Sequence, residues 1–321
     1  MAQPEQPEPV RSGRRRRRHR SKSKSWSLTP GQIWLGVGGL GFLALASLAV
    51  WVWLGGLRAP RFLENWTASG PEFEPWQSLE PGIEYSRALR TSPRPLRIHA
   101  LRVDLRDPSL EVVVPRAEYA GGGETRALWP LTWLKRHYLR AAINATPFTP
   151  APIFPSRPTR LQGLAISDGQ RWSEPTGNLD NLVVAPDGSI RFLQGKMPIG
   201  DARFGAGGFL VIRRDGVNTG DTSVRDATSV VGVSADRRWM YWLVVDGGQP
   251  GYSEGVTPKE ASELIAELGA SDALRLDGGA SSALAVAAGG NRVLNRSRNP
   301  VYSGAPRPVG NVLGVRRKVA P

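Results

Sequence analysis

Two short stretches carry residue types that could do chemistry: Asp246-Gly247-Gly248 and Asp277-Gly278-Gly279, the second leading through Ala280 into Ser281-Ser282. Each offers a carboxylate followed by two glycines. Glycine leaves the backbone free to turn its N–H groups outward, with no Cβ in the way of a close approach. A carboxylate, backbone donors and two hydroxyls make a small polar pocket suited to a sugar hydroxyl, a phosphate or a metal ion. A single Asp-Gly-Gly is ordinary turn chemistry. Two of them at matched positions, one opening into Ser-Ser, point to a site.

The elements around them explain the matching. Met240 to Val245 is an unbroken apolar run, the pattern of a buried strand, and it ends at Asp246. Thr257, Pro258 and Glu260 fit N-cap, N1 and N3 of a helix with a capping box. Ala261, Leu264, Ile265 and Leu268 fall on one helical face, and Gly269 is the expected stop. Ala273 to Leu276 is a second short strand, ending at Asp277. The unit reads strand–helix–strand, predicting two parallel strands of one mixed sheet with both aspartates at carboxyl ends, where ligands tend to bind.

From Tyr252-Ser253-Glu254-Gly255-Val256-Thr257, through the helix and Leu268-Gly269-Ala270, to Leu276-Asp277-Gly278-Gly279-Ala280-Ser281-Ser282, the order and spacing resemble the phosphodiester glycosidase family. The resemblance covers about residues 83 to 316. It implies an α+β fold, a single mixed-sheet domain with packed helices. It also implies a strand pair from Leu96 to Val114, and a closing strand around Arg307 to Val315. Two departures stand out. The family has an apolar strand ending in Asn, then glycines and an aromatic. Asn144 and Phe148 match, but Ala145-Thr146-Pro147 replace the glycines, which stiffens the backbone. Relatives also carry Arg-Thr where this chain has Thr228-Ser229. That arginine could have gripped a phosphate, and Arg225 is the nearest substitute in sequence.

Cleaving a glycosidic bond usually takes two carboxyl groups. Asp277 and Asp246 are the catalytic candidates. A phosphate leaving group needs less protonation and more stabilisation of its charge. Candidates to bind such a substrate are Asn144, Thr228, Ser229, Glu254, Gly278, Gly279, Ser281, Ser282 and Arg307. The three histidines show no paired ligand spacing, so no zinc site is expected. Carboxylates could hold Ca²⁺ or Mg²⁺, and no cofactor is otherwise implied. A glycan-binding module without turnover and a metal-dependent phosphodiesterase are the rival function classes.

Charge and hydropathy set the context. The 321 residues lack cysteine and carry a net charge of +14. Half of that charge sits in residues 1–24, around the run Arg14 to Arg18, so residues 1–29 read as a basic, core-free tail. Ile33 to Leu54 has no charged residue and is long enough to span a bilayer. The arginines before it put the tail in the cytoplasm by the positive-inside rule, which argues against nucleic acid as their partner. The expected organisation is a cytoplasmic tail (1–29), an uncleaved signal anchor crossing the membrane once (30–57), a proline-rich linker (58–82) and an extracytoplasmic domain (83–316). The basic domain suits an anionic glycan or sugar phosphodiester.

Overall fold

The computed structural model describes residues 72–116, 119–121, 124–299, 301 and 304–318. The expected tail and span lie outside these residues. Among the described residues, no helix is long and apolar enough to cross a membrane.

The fold is built mostly of β-strands in four sheets, with α-helices only at Pro130–Arg136 and Pro258–Glu267 among the described residues. The largest sheet has eight strands in the order Gln77–Glu80, Ile83–Arg90, Leu96–Asp104, Trp239–Val245, Thr228–Ser234, Ala270–Arg275, Leu210–Arg214 and Val217–Asn218. A five-stranded sheet runs Arg292–Val293, Leu284–Val286, Leu139–Asn144, Val312–Arg317 and Leu110–Val113.

The apolar run 240–245 is buried on both faces, and its two-residue period divides it. Met240, Trp242 and Val244 join a core shared with Ile143, Leu284, Leu313 and Val315 of the five-stranded sheet. Tyr241, Leu243 and Val245 face the other way, against Ala261, Leu264, Ile265 and Leu268 of the helix. The eight-stranded sheet is therefore the middle layer, which is why its central strand shows no polar alternation.

The expected mixed sheet is corrected: every strand pair described is antiparallel. Trp239–Val245 and Ala270–Arg275 do run in the same direction, but they are not neighbours. Thr228–Ser234 lies between them and pairs antiparallel with each, Val230 standing opposite both Leu243 and Arg275. The strand–helix–strand unit thus spans an intervening strand that the chain had already laid down. The expected pair from Leu96 to Val114 is also corrected. Leu96–Asp104 belongs to the eight-stranded sheet, while Leu110–Val113 pairs with Val312–Arg317 in the five-stranded one.

The helix forms as its sequence dictates. The Thr257 side chain accepts from the Glu260 N–H while Glu260 reaches back to the Thr257 N–H, Pro258 occupies the first turn, and Gly269 follows in the left-handed region at φ 107°. At the N-terminal side the fold reaches further back than Ile83. Gln77–Glu80 forms the edge strand, and Arg102 lies over the Trp76 ring at 4.6 Å.

Candidate active site around Asp277

Asp277 closes the Ala270–Arg275 strand. Its N–H donates to Ala145 O at 2.9 Å, and its own carboxylate caps the turn by accepting from the Gly278 N–H at 2.9 Å. A single 3₁₀ turn over Gly279–Ser281 then brings Ser281 back toward it. The Ser281 side chain comes close enough to the Asp277 carboxyl to pull its pKa down, and its hydroxyl accepts twice from Arg307, from Nε at 2.9 Å and Nη2 at 2.6 Å. Asp277, Ser281 and Arg307 form one connected row. Burial pushes the Asp277 carboxyl above the usual carboxylate range, against the opposing pull of Ser281 and Arg307. Burial likewise lowers the Arg307 guanidinium, with Asp277 pulling it back up.

Asn144 pins the row from below. Its amide nitrogen donates to Asp277 O at 2.6 Å, and its oxygen accepts from the Ser229 hydroxyl at 2.7 Å and the Ala283 N–H at 3.0 Å. Asn144 and Ser229 are fully buried and committed to one another, so they position Asp277 from within the core. The stiffened loop beyond is equally well tied: Thr146 accepts from the Gly207 N–H and from Asn311 at its hydroxyl, filling space that a glycine would leave open.

Asp246 has a different environment. It has no solvent exposure. Its carboxylate accepts from Tyr252 OH at 3.3 Å, from Asn295 Nδ2 at 3.1 Å and from the Arg296 N–H at 3.1 Å, and His99 Nε2 stands 3.8 Å away. Beyond it the Tyr85 hydroxyl meets His99 Nδ1 at 2.9 Å. This is a carboxylate that anchors a chain segment, Asn295-Arg296, beside the site. Burial, and then the Asp246 charge, push the Tyr252 phenol well above its usual value.

The remaining candidates fall around these two turns. Thr228 is buried with its hydroxyl 3.5 Å from Asp226 O. Glu254 is half-buried, and its carbonyl accepts from the Gly248 N–H at 3.4 Å. The Gly278 and Gly279 N–H groups are engaged within the chain, by the Asp277 carboxylate and by Ala227 O at 2.8 Å. Ser282 is fully buried, its hydroxyl without a hydrogen-bond partner among the described residues. Arg225 lies exposed.

The structure adds three residues that the sequence did not single out: Arg275, Arg298 and Asp226. Arg275, the last residue of its strand, feels the charges of Asp221, Asp226 and Asp277. Its Nε is buried with no hydrogen-bond partner among the described residues. Arg298 pairs with Asp226 at 2.9 Å. None belongs to a recognisable spacing, because each comes from a separate segment. Among the described residues no three His, Asp or Glu side chains converge as a metal site, so Ca²⁺ or Mg²⁺ gains no ligand set there.

A cleft of about 270 Å³ exists elsewhere, lined by Asp104, Asp107, Glu111, Arg203 and Lys318 among others. It lies at the far end of the Leu96–Asp104 strand from Asp246, roughly 20 Å away for six residues of strand. Three of its acids are paired, Asp104 with Arg238, Asp107 with Arg317, and Glu111 with Arg203 and Arg316. The Asp277 carboxyl, perturbed by burial and aligned with Ser281 and Arg307, marks the reactive site instead.

A family model for the phosphodiester glycosidases matches residues 138–316, more than half of the chain, including both Asp-Gly-Gly turns, Asn144 and Arg307. The chain belongs to the phosphodiester glycosidase family. It is an enzyme of that class, a glycosidase acting on phosphodiesters. The fold is similar to the catalytic domain of zebrafish N-acetylglucosamine-1-phosphodiester alpha-N-acetylglucosaminidase, at TM-score 0.58 and 18% identity, over 80% of this chain and 91% of that one. A hypothetical protein from Synechocystis matches at TM-score 0.54 and 16% identity, over 78% of this chain but 64% of its own length. A putative exported protein from Burkholderia pseudomallei K96243 matches at 0.52 and 14%, over 71% and 75%. At these identities the likeness speaks for the fold alone. No curated protein matches the chain.

Proposed function

We propose that this phosphodiester glycosidase hydrolyses a sugar-1-phosphodiester in an envelope glycan, cutting the bond between the anomeric carbon and the phosphate oxygen. The observation that carries the reading is the Asp277–Ser281–Arg307 row. Water adds to the anomeric carbon, the C–O bond breaks, and its electron pair leaves with the phosphate. The phosphate needs its negative charge stabilised, and Arg307 stands beside the reacting position to do that. Asp277 handles the proton. It takes the proton that the attacking water loses, and burial raises its affinity for that proton. Asp246, enclosed and fully bonded, supports the site by holding residues 295–296.

The sequence supports placing this activity outside the cytoplasm. The uncharged stretch 33–54 follows an arginine run, and a domain carrying the other half of the +14 charge would sit beside an anionic polymer.

The test is a panel of sugar phosphodiesters hydrolysed in ¹⁸O-labelled water. Label on the sugar is the expected result. Label on the phosphate would assign P–O cleavage instead, and binding without turnover would make the domain a glycan-binding module.

A further inference from the structure

Arg298 lies across both Asp-Gly-Gly turns. A Cβ added at Gly248 would stand 2.7 Å from Arg298 Cδ, and one at Gly279 would stand 3.1 Å from Arg298 Nη2 and 3.3 Å from Asp226 Oδ2. Both glycines have positive φ, 63° and 60°. The space the glycines leave open is therefore occupied by this chain's own arginine and the aspartate it rests on. Arg298 and Asp226 are each partly exposed, at 42% and 28% of their side chains, so their bond is an exchangeable one.

The surrounding charge is unbalanced. Arg298 is close enough to Arg307 for the two cations to repel, and Arg275 adds a third guanidinium beside the same acids. Against three arginines stand Asp226, Asp221 on the Arg275 side, and an Asp277 whose burial favours its neutral form. Two guanidinium groups that repel one another suit an anion between them. A phosphate lying between Arg298 and Arg307 supplies it.

We propose that Arg298 is an exchangeable anion-binding arm that selects phosphodiesters: it rests on Asp226 and transfers to the substrate's phosphate when that group enters between it and Arg307. This rests on the reading that the Asp277 row receives a sugar phosphodiester, and names the residue that sets its preference for a charged leaving group. Asp226 is then the phosphate's competitor. Substituting the two members of one ion pair should have opposite effects.

The experiment titrates the full-length protein, held in detergent, with inorganic phosphate by calorimetry. Arg298→Gln should weaken binding by about tenfold or more, the usual loss for one charge-assisted contact, and Arg298→Lys should recover part of it. Asp226→Asn should tighten binding several-fold. Equal weakening in Arg298→Gln and Asp226→Asn would mean that the pair only holds the loop together, and would overturn the proposal, as would an unchanged isotherm in Arg298→Gln. With a sugar phosphodiester and the neutral nitrophenyl glycoside of the same sugar as substrates, Arg298→Gln should raise KM for the first and leave the second unchanged. A protein that turns over neither substrate defeats the assigned reaction, while the phosphate isotherms still decide the role of Arg298.

Discussion

Asp277 and Asn144 touch through one hydrogen bond, yet substitutions at the two should behave oppositely. Asp277→Asn keeps the shape and removes the charge. If the carboxyl transfers the proton, turnover should fall by roughly 10²–10⁴-fold, measured by kinetics on a competent phosphodiester. Stability should move in the other direction. Burial raises the folded-state pKa of Asp277, so the native protein binds this proton more tightly than the unfolded chain does. Its contribution to stability is then greatest below the unfolded value of about 4 and is lost as pH rises through the folded pKa. The Tm of Asp277→Asn relative to wild type should therefore increase as pH is raised from about 4 toward neutrality. Asn144→Ala, by contrast, orphans the Ser229 hydroxyl, the Ala283 N–H and the Asp277 carbonyl inside the core. It should cost at least about 2 kcal/mol in denaturant unfolding and lose activity as a consequence.

At the scale of elements, the Pro258–Glu267 helix is pinned at its start twice. Thr257 and Glu260 form the capping box, and Arg94 Nη2 donates to Glu260 at 2.6 Å. Its apolar face meets the sheet through Ala261, Leu264 and Ile265. Thr257→Ala removes the cap and leaves that face intact, so thermal melts should show a loss of about 1 kcal/mol with kcat unchanged. The antiparallel strand Thr228–Ser234 inserted under this helix does more for the site than the helix does. It carries Ser229 to Asn144, and the loop before it places Asp226 and Ala227 between the two Asp-Gly-Gly turns.

For the whole molecule, the sequence of residues 1–57 and the domain that follows predict one orientation. Protease added to intact cells, or to spheroplasts of a double-membrane bacterium, should digest the domain and spare the basic tail. Protection of residues 83–316 in a sealed preparation would reverse that topology. The described domain is arranged so that its reactive row sits at one end of the central sheet, while the cleft at Asp104 and Glu111, both in ion pairs, sits at the other.

Local signals were legible in the chain because they depend on neighbours in sequence. The capping box at Thr257, the apolar face of its helix, and Asp277 at a strand end all appear where the residues predict them. Asp246 was legible as a position and not as an environment. Its enclosure by Tyr252, Asn295 and Arg296 depends on a segment some fifty residues away. The antiparallel sheet was equally hidden, since both orders of strand pairing bury the same apolar residues, and only the placement of Thr228–Ser234 between its neighbours separates them. Arg275 and Arg298 carry no motif. They become part of the site because strand register and a returning loop bring their charges to Asp226 and Asp277, and charge acts through space rather than along the chain.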